Sequence, residues 1–177
     1  WGNSYRVRYY AEALLGNLDR IPAVFRPKRL RVAGGEPDFA VERTVAALKE
    51  RGLEAEYRPL VSAAEISAML RSSSFCFFKY GTYIKRFPME QVFKSTVFAS
   101  ASAHGVVSVF DDGDLGAAIA QSGHPGMIAI AGTVEAWPRL EALPALRQRV
   151  YEWYHARSNL AGMGTAFLET FRKWGTE

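Results

Sequence analysis

A lysine, two hydroxyl residues and a run of small side chains form the segment of this sequence whose chemistry is easiest to interpret. The segment begins at Lys94, Ser95 and Thr96 and continues through alanines and serines to Gly105. A cation and hydroxyls at the start of a helix predict an anion site, because the first backbone N–H groups are free and the helix dipole favours negative charge. Phosphate is the first anion to expect there.

The charge around this segment agrees with an anion site without requiring one. Residues 79–94 contain four cations, Lys79, Lys85, Arg86 and Lys94, and one acid, Glu90. Such a loop can attract an anionic ligand, but charge runs are also common on solvated surfaces. Both interpretations stay open from the sequence.

Length and composition indicate one ordinary globular domain. The chain has 177 residues, 49% hydrophobic and 23% charged, which excludes disordered and fibrous classes. A net charge of +4 favours anionic partners, although the pattern does not resemble a nucleic-acid-binding arm, and we expect no nucleic-acid partner. We also expect no metal, because the three histidines lie far apart, and no other cofactor.

The single cysteine and the absence of long apolar runs bear on the compartment. Cys76 cannot form an internal disulfide, and it lies in a short apolar run that predicts a buried, inert thiol. No run reaches membrane-spanning length and no cleavable signal opens the sequence. We therefore expect a cytoplasmic protein, with peripheral contact at the inner membrane surface left open because of its basic residues.

Hydrophobic periodicity predicts alternating strands and helices. Asp38 is placed to cap one helix, and Ser62 and Glu65 form a capping-box pattern before another. The alternation predicts a Rossmann-like α/β domain over residues 1–177, with a parallel sheet, helices on both faces and a helical tail at about 134–174. The predicted strands are 30–35, 53–60, 75–80, 106–110 and 127–131. The predicted helices are 5–18, 39–51, 115–121, 134–157 and 160–173, with one more helix after the capping box at Ser62 and a small-residue helix that Lys94, Ser95 and Thr96 precede and Gly105 closes.

Ligands of open parallel sheets bind beyond the carboxyl ends of the strands. Four loops are therefore candidates, at 34–38, 60–62, 81–94 and 111–114. Gly34 and Gly35 would allow a ligand close to the backbone, although a plain turn explains them as well. The sequence lacks the G-x-G-x-x-G fingerprint and the P-loop lysine motif, which argues against nicotinamide dehydrogenases and P-loop ATPases.

The order of these segments resembles the carboxyl-terminal, donor-binding domain of GT-B glycosyltransferases, over about residues 5–171. Residues 30–35 look like the family's L-x-V-x-G strand, and residues 60–73 are similar to its G-x-V-x-x-x-E-L-x-x-L-x-x-S passage. Residues 101–109 look like E-A-x-A-x-G-x-P-V-V, with Val107 in place of the proline. Residues 151–158 resemble the family's closing Y-x-x-x-x-S-W helices.

The resemblance implies a nucleotide-sugar site. Lys94, Ser95 and Thr96 would hold the diphosphate, and Ser100 stands where the family commonly has a ribose-holding glutamate. Leu60, Val61 and Ser62 would pass beside the base, Gly81, Thr82 and Tyr83 would approach the sugar and diphosphate, and Arg6 would be a phosphate contact.

The function implied is transfer of a sugar from a nucleotide-diphosphate sugar to an unknown acceptor. In the family an amino-terminal domain supplies the acceptor site and usually the catalytic base, so we expect an N-terminal domain or partner subunit and assign no catalytic residue. Two alternatives stay open. One is a non-catalytic Rossmann-like interaction module, and the other is a sugar-phosphate enzyme of the epimerase or phosphoesterase type.

Overall fold

A computed structural model describes residues 2–80, 92–111, 116–130 and 136–157 of the chain. It has the α/β architecture that the sequence predicts. The strands are β1 (Arg29–Ala33), β2 (Glu54–Arg58), β3 (Phe75–Phe78), β4 (Val107–Phe110) and β5 (Met127–Ala129). The helices are α1 (Ser4–Asn17), α2 (Phe39–Glu50), α3 (Ala63–Arg71), α4 (Thr96–Ala103), α5 (Gly116–Gln121) and α6 (Leu143–Arg157).

All described strand pairs are parallel, as predicted, but their hydrogen bonds form two sheets. In one sheet β1 pairs with β2, and in the other β4 lies between β3 and β5. Helix α1 contacts both β1 and β3, and Val32 of β1 shares a buried cluster with Val107 of β4. The two sheets therefore belong to one core even though no ladder joins them.

Strand β4 is the centre of the core, and all four of its residues are buried. Val107 and Val109 point to the face covered by α1 and α2, while Phe110 points to the face where Phe78 and Phe98 lie. A strand covered on both faces has to be apolar on both, which explains the continuous apolar run in its sequence.

Side-chain caps mark the starts of α1, α2 and α3, and those at Asp38 and Ser62 are the caps that the sequence predicts. Asn3 accepts the Arg6 N–H, and Asp38 accepts the N–H groups of Ala40 and Val41. Ser62 and Glu65 form the complete capping box of α3. These caps satisfy amides that would otherwise lack partners in the first helical turn.

The last described helix differs from its prediction at the start. A helix over residues 134–157 is too long, because a 3-10 turn at Leu140–Ala142 precedes α6 and the chain around Pro138 is not helical. Proline disfavours helical backbone at the residue before it, whereas Pro144 is tolerated in the first turn of α6. The predicted helix at 160–173 lies outside the described residues.

Helix α6 crosses the amino ends of the central strands. Arg147 donates a hydrogen bond of 3.1 Å to the carbonyl of Gly105, which lies before β4. The side chain of Val150 packs against Gly126, which lies before β5. The carboxyl ends of the strands are on the opposite edge. Within the described residues, no helix combines the length and apolarity that a membrane crossing requires.

Candidate ligand site at the carboxyl edge

Several predicted site residues meet at the carboxyl edge of the strands. Gly34 and Gly35 follow β1, and residues 60–62 follow β2. Helix α1 begins at the same edge, because the hydroxyl of Ser4 accepts the backbone N–H of Glu36 at 2.8 Å. This contact brings Arg6, in the first turn of α1, to the edge as well. Gly81, Thr82 and Tyr83 lie outside the described residues.

The paired glycines are explained by contact within the chain. Gly34 and Gly35 have φ of +98° and +70°, a region that favours glycine. A side chain on Gly35 would come 2.6 Å from the backbone nitrogen of Ser4, and one on Gly34 would collide with the carbonyl of Gly2. Both residues must therefore be glycine for α1 to start against this turn, whether or not a ligand is present.

The loop after β2 holds an exposed leucine in an unusual conformation. Leu60 has φ of +54°, its side chain is 67% exposed, and its N–H donates to the carbonyl of Gly35 at 2.9 Å. Left-handed backbone is uncommon for leucine and is typical of functional loops and tight turns. Val61 is half-buried, and the side chain of Ser62 is engaged in the α3 cap. The predicted base contacts of this loop stay a prediction.

Helix α4 starts differently from α1, α2 and α3. Ser95 occupies the N-cap position, but its hydroxyl accepts a hydrogen bond of 2.9 Å from Tyr80 and makes no cap bond. The first amides of α4 therefore receive nothing from their own cap residue. Lys94 and Thr96 on either side are exposed. Within the described residues, no side-chain cap therefore serves the first amides of α4, and the exposed cation Lys94 lies directly before them in the chain.

A buried pair of tyrosines holds Ser95 in this position. Tyr80 follows β3 and donates a hydrogen bond to Ser95, and its ring packs edge-on against that of Tyr10 in α1, with the ring centroids 6.2 Å apart. Burial raises the pKa of both tyrosine hydroxyls, while the positive charge of Arg6 acts in the opposite direction on each. Both hydroxyls consequently stay protonated near neutral pH and act as hydrogen-bond donors.

Ser100 lies one turn into α4 and is half-buried. Its hydroxyl donates a hydrogen bond of 2.8 Å to the carbonyl of Thr96, a common arrangement for serine within a helix. The hydroxyl oxygen can still accept a hydrogen bond, but it carries no charge. Ser100 therefore lacks the strong acceptor that a carboxylate would supply to ribose hydroxyls.

Sequence reasoning missed one ion pair at this edge. Lys79 follows β3 and Asp111 follows β4, and the Lys79 ammonium contacts the Asp111 carboxylate. The side chain of Asp111 is only 6% exposed and that of Lys79 is 24% exposed. The available signal was that two neighbouring apolar strands are each followed directly by a charge of opposite sign. The sequence instead groups Lys79 with the cations of residues 79–94.

Histidine and cysteine form no reactive cluster in the described part of the chain, where no three metal-binding side chains lie together. His104 is at the C-cap of α4, and its Nδ1 donates to the carbonyl of Ser100. Burial raises the pKa of Cys76 to about 11, which leaves its thiol protonated near neutral pH.

His124 and Ser102 are neighbours but do not form a nucleophile and base. Nδ1 of His124 accepts the N–H of Gly126 at 3.0 Å, so Nε2 carries the proton. Nε2 lies 3.3 Å from the Ser102 hydroxyl and donates to it, so it cannot remove a proton from that hydroxyl. Both side chains are buried near the amino ends of the strands, away from the candidate site.

No model of a known protein family matches the chain, and no curated protein matches it either. The geometry of the carboxyl edge and the residue pattern are therefore the basis for inferring a function.

Proposed function

We propose that this chain binds a nucleotide-diphosphate sugar at the carboxyl edge, as the donor-binding half of a glycosyltransferase. The observation that carries the proposal is the start of α4. Ser95 caps no amide there, because its hydroxyl is held by Tyr80, and Lys94 and Thr96 flank it at the surface. Uncapped amides at the positive end of a helix dipole, beside a lysine, suit a diphosphate.

The chemistry assigned to this segment is stabilisation of a leaving group. When a sugar leaves its nucleotide, negative charge develops on the diphosphate, and donors that are already in place stabilise it without a metal. Lys94 and the amides of α4 provide such donors, and Arg6 of α1 provides a second cation at the same edge. No catalytic base is assigned within this chain, and the acceptor is unspecified.

A second domain or subunit is part of the proposal. Among the described residues, three large apolar side chains are exposed at this edge: Tyr5 is 60% exposed, Phe39 is 71% exposed and Leu60 is 67% exposed. Each lies in the first turn of a helix or in the loop before one, so they face the same end of the strands. Exposed apolar groups around a polar site favour contact with another protein surface and with a nucleobase.

A single substitution can remove an amide donor from α4 without removing the helix. Thr96 is exposed and is the first residue of α4, a position that accepts proline, and Ser95 before it has the extended backbone that proline requires. We expect Thr96→Pro to fold normally and to weaken binding of UDP or GDP by about tenfold or more, measured by isothermal titration. Thr96→Ala removes the hydroxyl but keeps the backbone N–H, so comparing it with Thr96→Pro isolates the effect of the amide.

Ala63→Pro is the matched control, because Ala63 is the exposed first residue of α3, whose cap is complete. It should leave nucleotide binding unchanged. Lys94→Gln should weaken binding and reduce its dependence on salt concentration. No binding of either nucleotide at millimolar concentration, or equal affinity in wild type and Thr96→Pro, would contradict the proposal.

A further inference from the structure

The ion pair of Lys79 and Asp111 occupies the end of a row of core side chains. Strands β3 and β4 pair in register with Phe78 opposite Phe110, so the next residue on each strand faces the other. Because side chains alternate along a strand, Lys79 and Asp111 continue the row of Phe77 and Val109. The row of apolar side chains therefore ends in a charged pair at the carboxyl edge of the sheet.

The backbone holds the pair in place. The N–H of Asp111 donates to the carbonyl of Phe78 at 3.1 Å, and the N–H of Ile130 donates to the carbonyl of Phe110 at 2.8 Å. Strand β4 is thus hydrogen-bonded on both sides up to its last residue. The side chain of Asp111 is nearly buried, whereas the side chain of Lys79 is about one-quarter exposed, so a ligand can reach the pair from the Lys79 side.

Stability does not require an ion pair here. Apolar residues of similar size usually stabilise a buried position as well as a salt bridge does, because both charges lose their hydration on burial. The rest of this row is apolar, and one more apolar pair would extend it. A ligand-binding role explains why charge is placed at this position.

The chemistry of the pair selects the part of a ligand that it suits. The carboxylate would repel phosphate, and the pair as a whole is neutral, so it differs from the cationic start of α4. An ammonium donor beside a carboxylate acceptor suits the hydroxyl groups of a sugar, each of which both donates and accepts hydrogen bonds. Tyr80 follows Lys79 directly and reaches Ser95, so the pair and the α4 start lie on either side of one strand end.

We propose that Lys79 and Asp111 bind the hydroxyl groups of the donor sugar, while α4 binds the diphosphate; this inference rests on the proposed function. Asp111 accepts from a sugar hydroxyl, and Lys79 donates to the same or a neighbouring one. The pair is then a determinant of sugar specificity that contributes little to binding of the nucleotide.

The test compares nucleoside diphosphates with nucleotide sugars. Affinities for UDP, GDP, UDP-glucose, UDP-N-acetylglucosamine and GDP-mannose are measured by isothermal titration for wild type and two double variants. Lys79→Met with Asp111→Leu removes both charges without leaving either one buried alone. Lys79→Asp with Asp111→Lys restores an ion pair with donor and acceptor exchanged. Thermal unfolding followed by circular dichroism verifies that each variant is folded.

We expect both double variants to bind UDP and GDP like wild type and to bind the preferred nucleotide sugar at least about tenfold more weakly. Unchanged nucleotide-sugar affinity in the apolar variant, or full recovery in the charge-exchanged variant, would overturn the inference and leave the α4 site intact. An equal loss of affinity for nucleotide and nucleotide sugar would also overturn it. Failure of wild type to bind any of the five compounds would instead overturn the proposed function, and the inference with it.

Discussion

Mild acid should destabilise this protein through one buried histidine. His124 is 7% exposed, and its ring lies edge-on to Trp153 with the ring centroids 4.4 Å apart. In the neutral form Nδ1 accepts the N–H of Gly126 and Nε2 donates to Ser102. Protonation of Nδ1 would break the bond to Gly126 and place a charge among aromatic rings, so the folded state disfavours it.

The size of the effect follows from the pKa of His124. Burial, together with the positive charge of Arg157, lowers this pKa from 6.5 to about 4. Because the folded pKa is below the unfolded one, the unfolded chain binds the proton more readily, and stability is lost as the pH falls below 6.5. The free energy of unfolding should decrease by about 2 kcal/mol between pH 7 and pH 5, and by about 3 kcal/mol by pH 4.

Urea unfolding followed by tryptophan fluorescence measures this loss directly. His124→Gln keeps a polar N–H near Ser102 and cannot titrate, so its stability should fall less. Carboxylates such as Asp19 and Glu65, whose pKa values are lowered by hydrogen bonds, titrate in both proteins and cancel in the difference. The stability advantage of wild type over His124→Gln should shrink by about 2 kcal/mol from pH 7 to pH 5.

His155→Gln serves as a control, because it removes a histidine from an exposed position on α6. It should keep the acid sensitivity of wild type. Melting temperatures provide a second measurement, with an expected difference of roughly 4–8 °C at pH 5. If wild type and His124→Gln lose the same free energy of unfolding between pH 7 and pH 5, then His124 does not cause the acid sensitivity and the prediction is wrong.

Two further predictions concern backbone and capping. Gly105→Ala should lower the free energy of unfolding by more than about 2 kcal/mol, because φ is +64° and the new methyl would lie 2.6 Å from the carbonyl oxygen of Arg147. Gly123→Ala has a similar φ of +66° but open space around the new methyl, so it should lower the free energy of unfolding by only about 1 kcal/mol. Chemical denaturation measures both losses. Equal losses would show that the contact with Arg147 relaxes freely. Ser62→Ala should lower the free energy of unfolding by about 1 kcal/mol, since it removes half of the capping box with Glu65. An unchanged denaturation midpoint would contradict that role.

Features that depend on close neighbours in the chain were predicted correctly from the sequence. The Asp38 cap and the capping box of Ser62 and Glu65 involve residues within three positions of each other, and both are confirmed. The strand predicted at 106–110 is also present, and its continuous apolar run is typical of the buried, central position that β4 occupies. The predicted start of the helix at 134 is too early, since α6 begins at Leu143 and Pro138 disfavours helical backbone at the residue before it.

The candidate site was predicted only in part, because its chemistry depends on contacts between distant segments. The sequence indicated an anion site near Lys94, Ser95 and Thr96, but it did not indicate that Tyr80 would hold the Ser95 hydroxyl. From the sequence, Gly34 and Gly35 fit either a turn or close approach of a ligand, and the turn is the favoured interpretation. Their contact with the start of α1 explains them, and that contact joins segments about thirty residues apart.

The sequence alone determined the α/β class, the order of strands and helices and the cluster of small residues in α4, because hydrophobic periodicity and caps act over a few residues. Only the tertiary structure decided which side chains meet at the carboxyl edge. Parallel register places Lys79 beside Asp111, although 31 intervening residues separate them in the chain. No local pattern encodes that register, since it results from packing both faces of β4 at once.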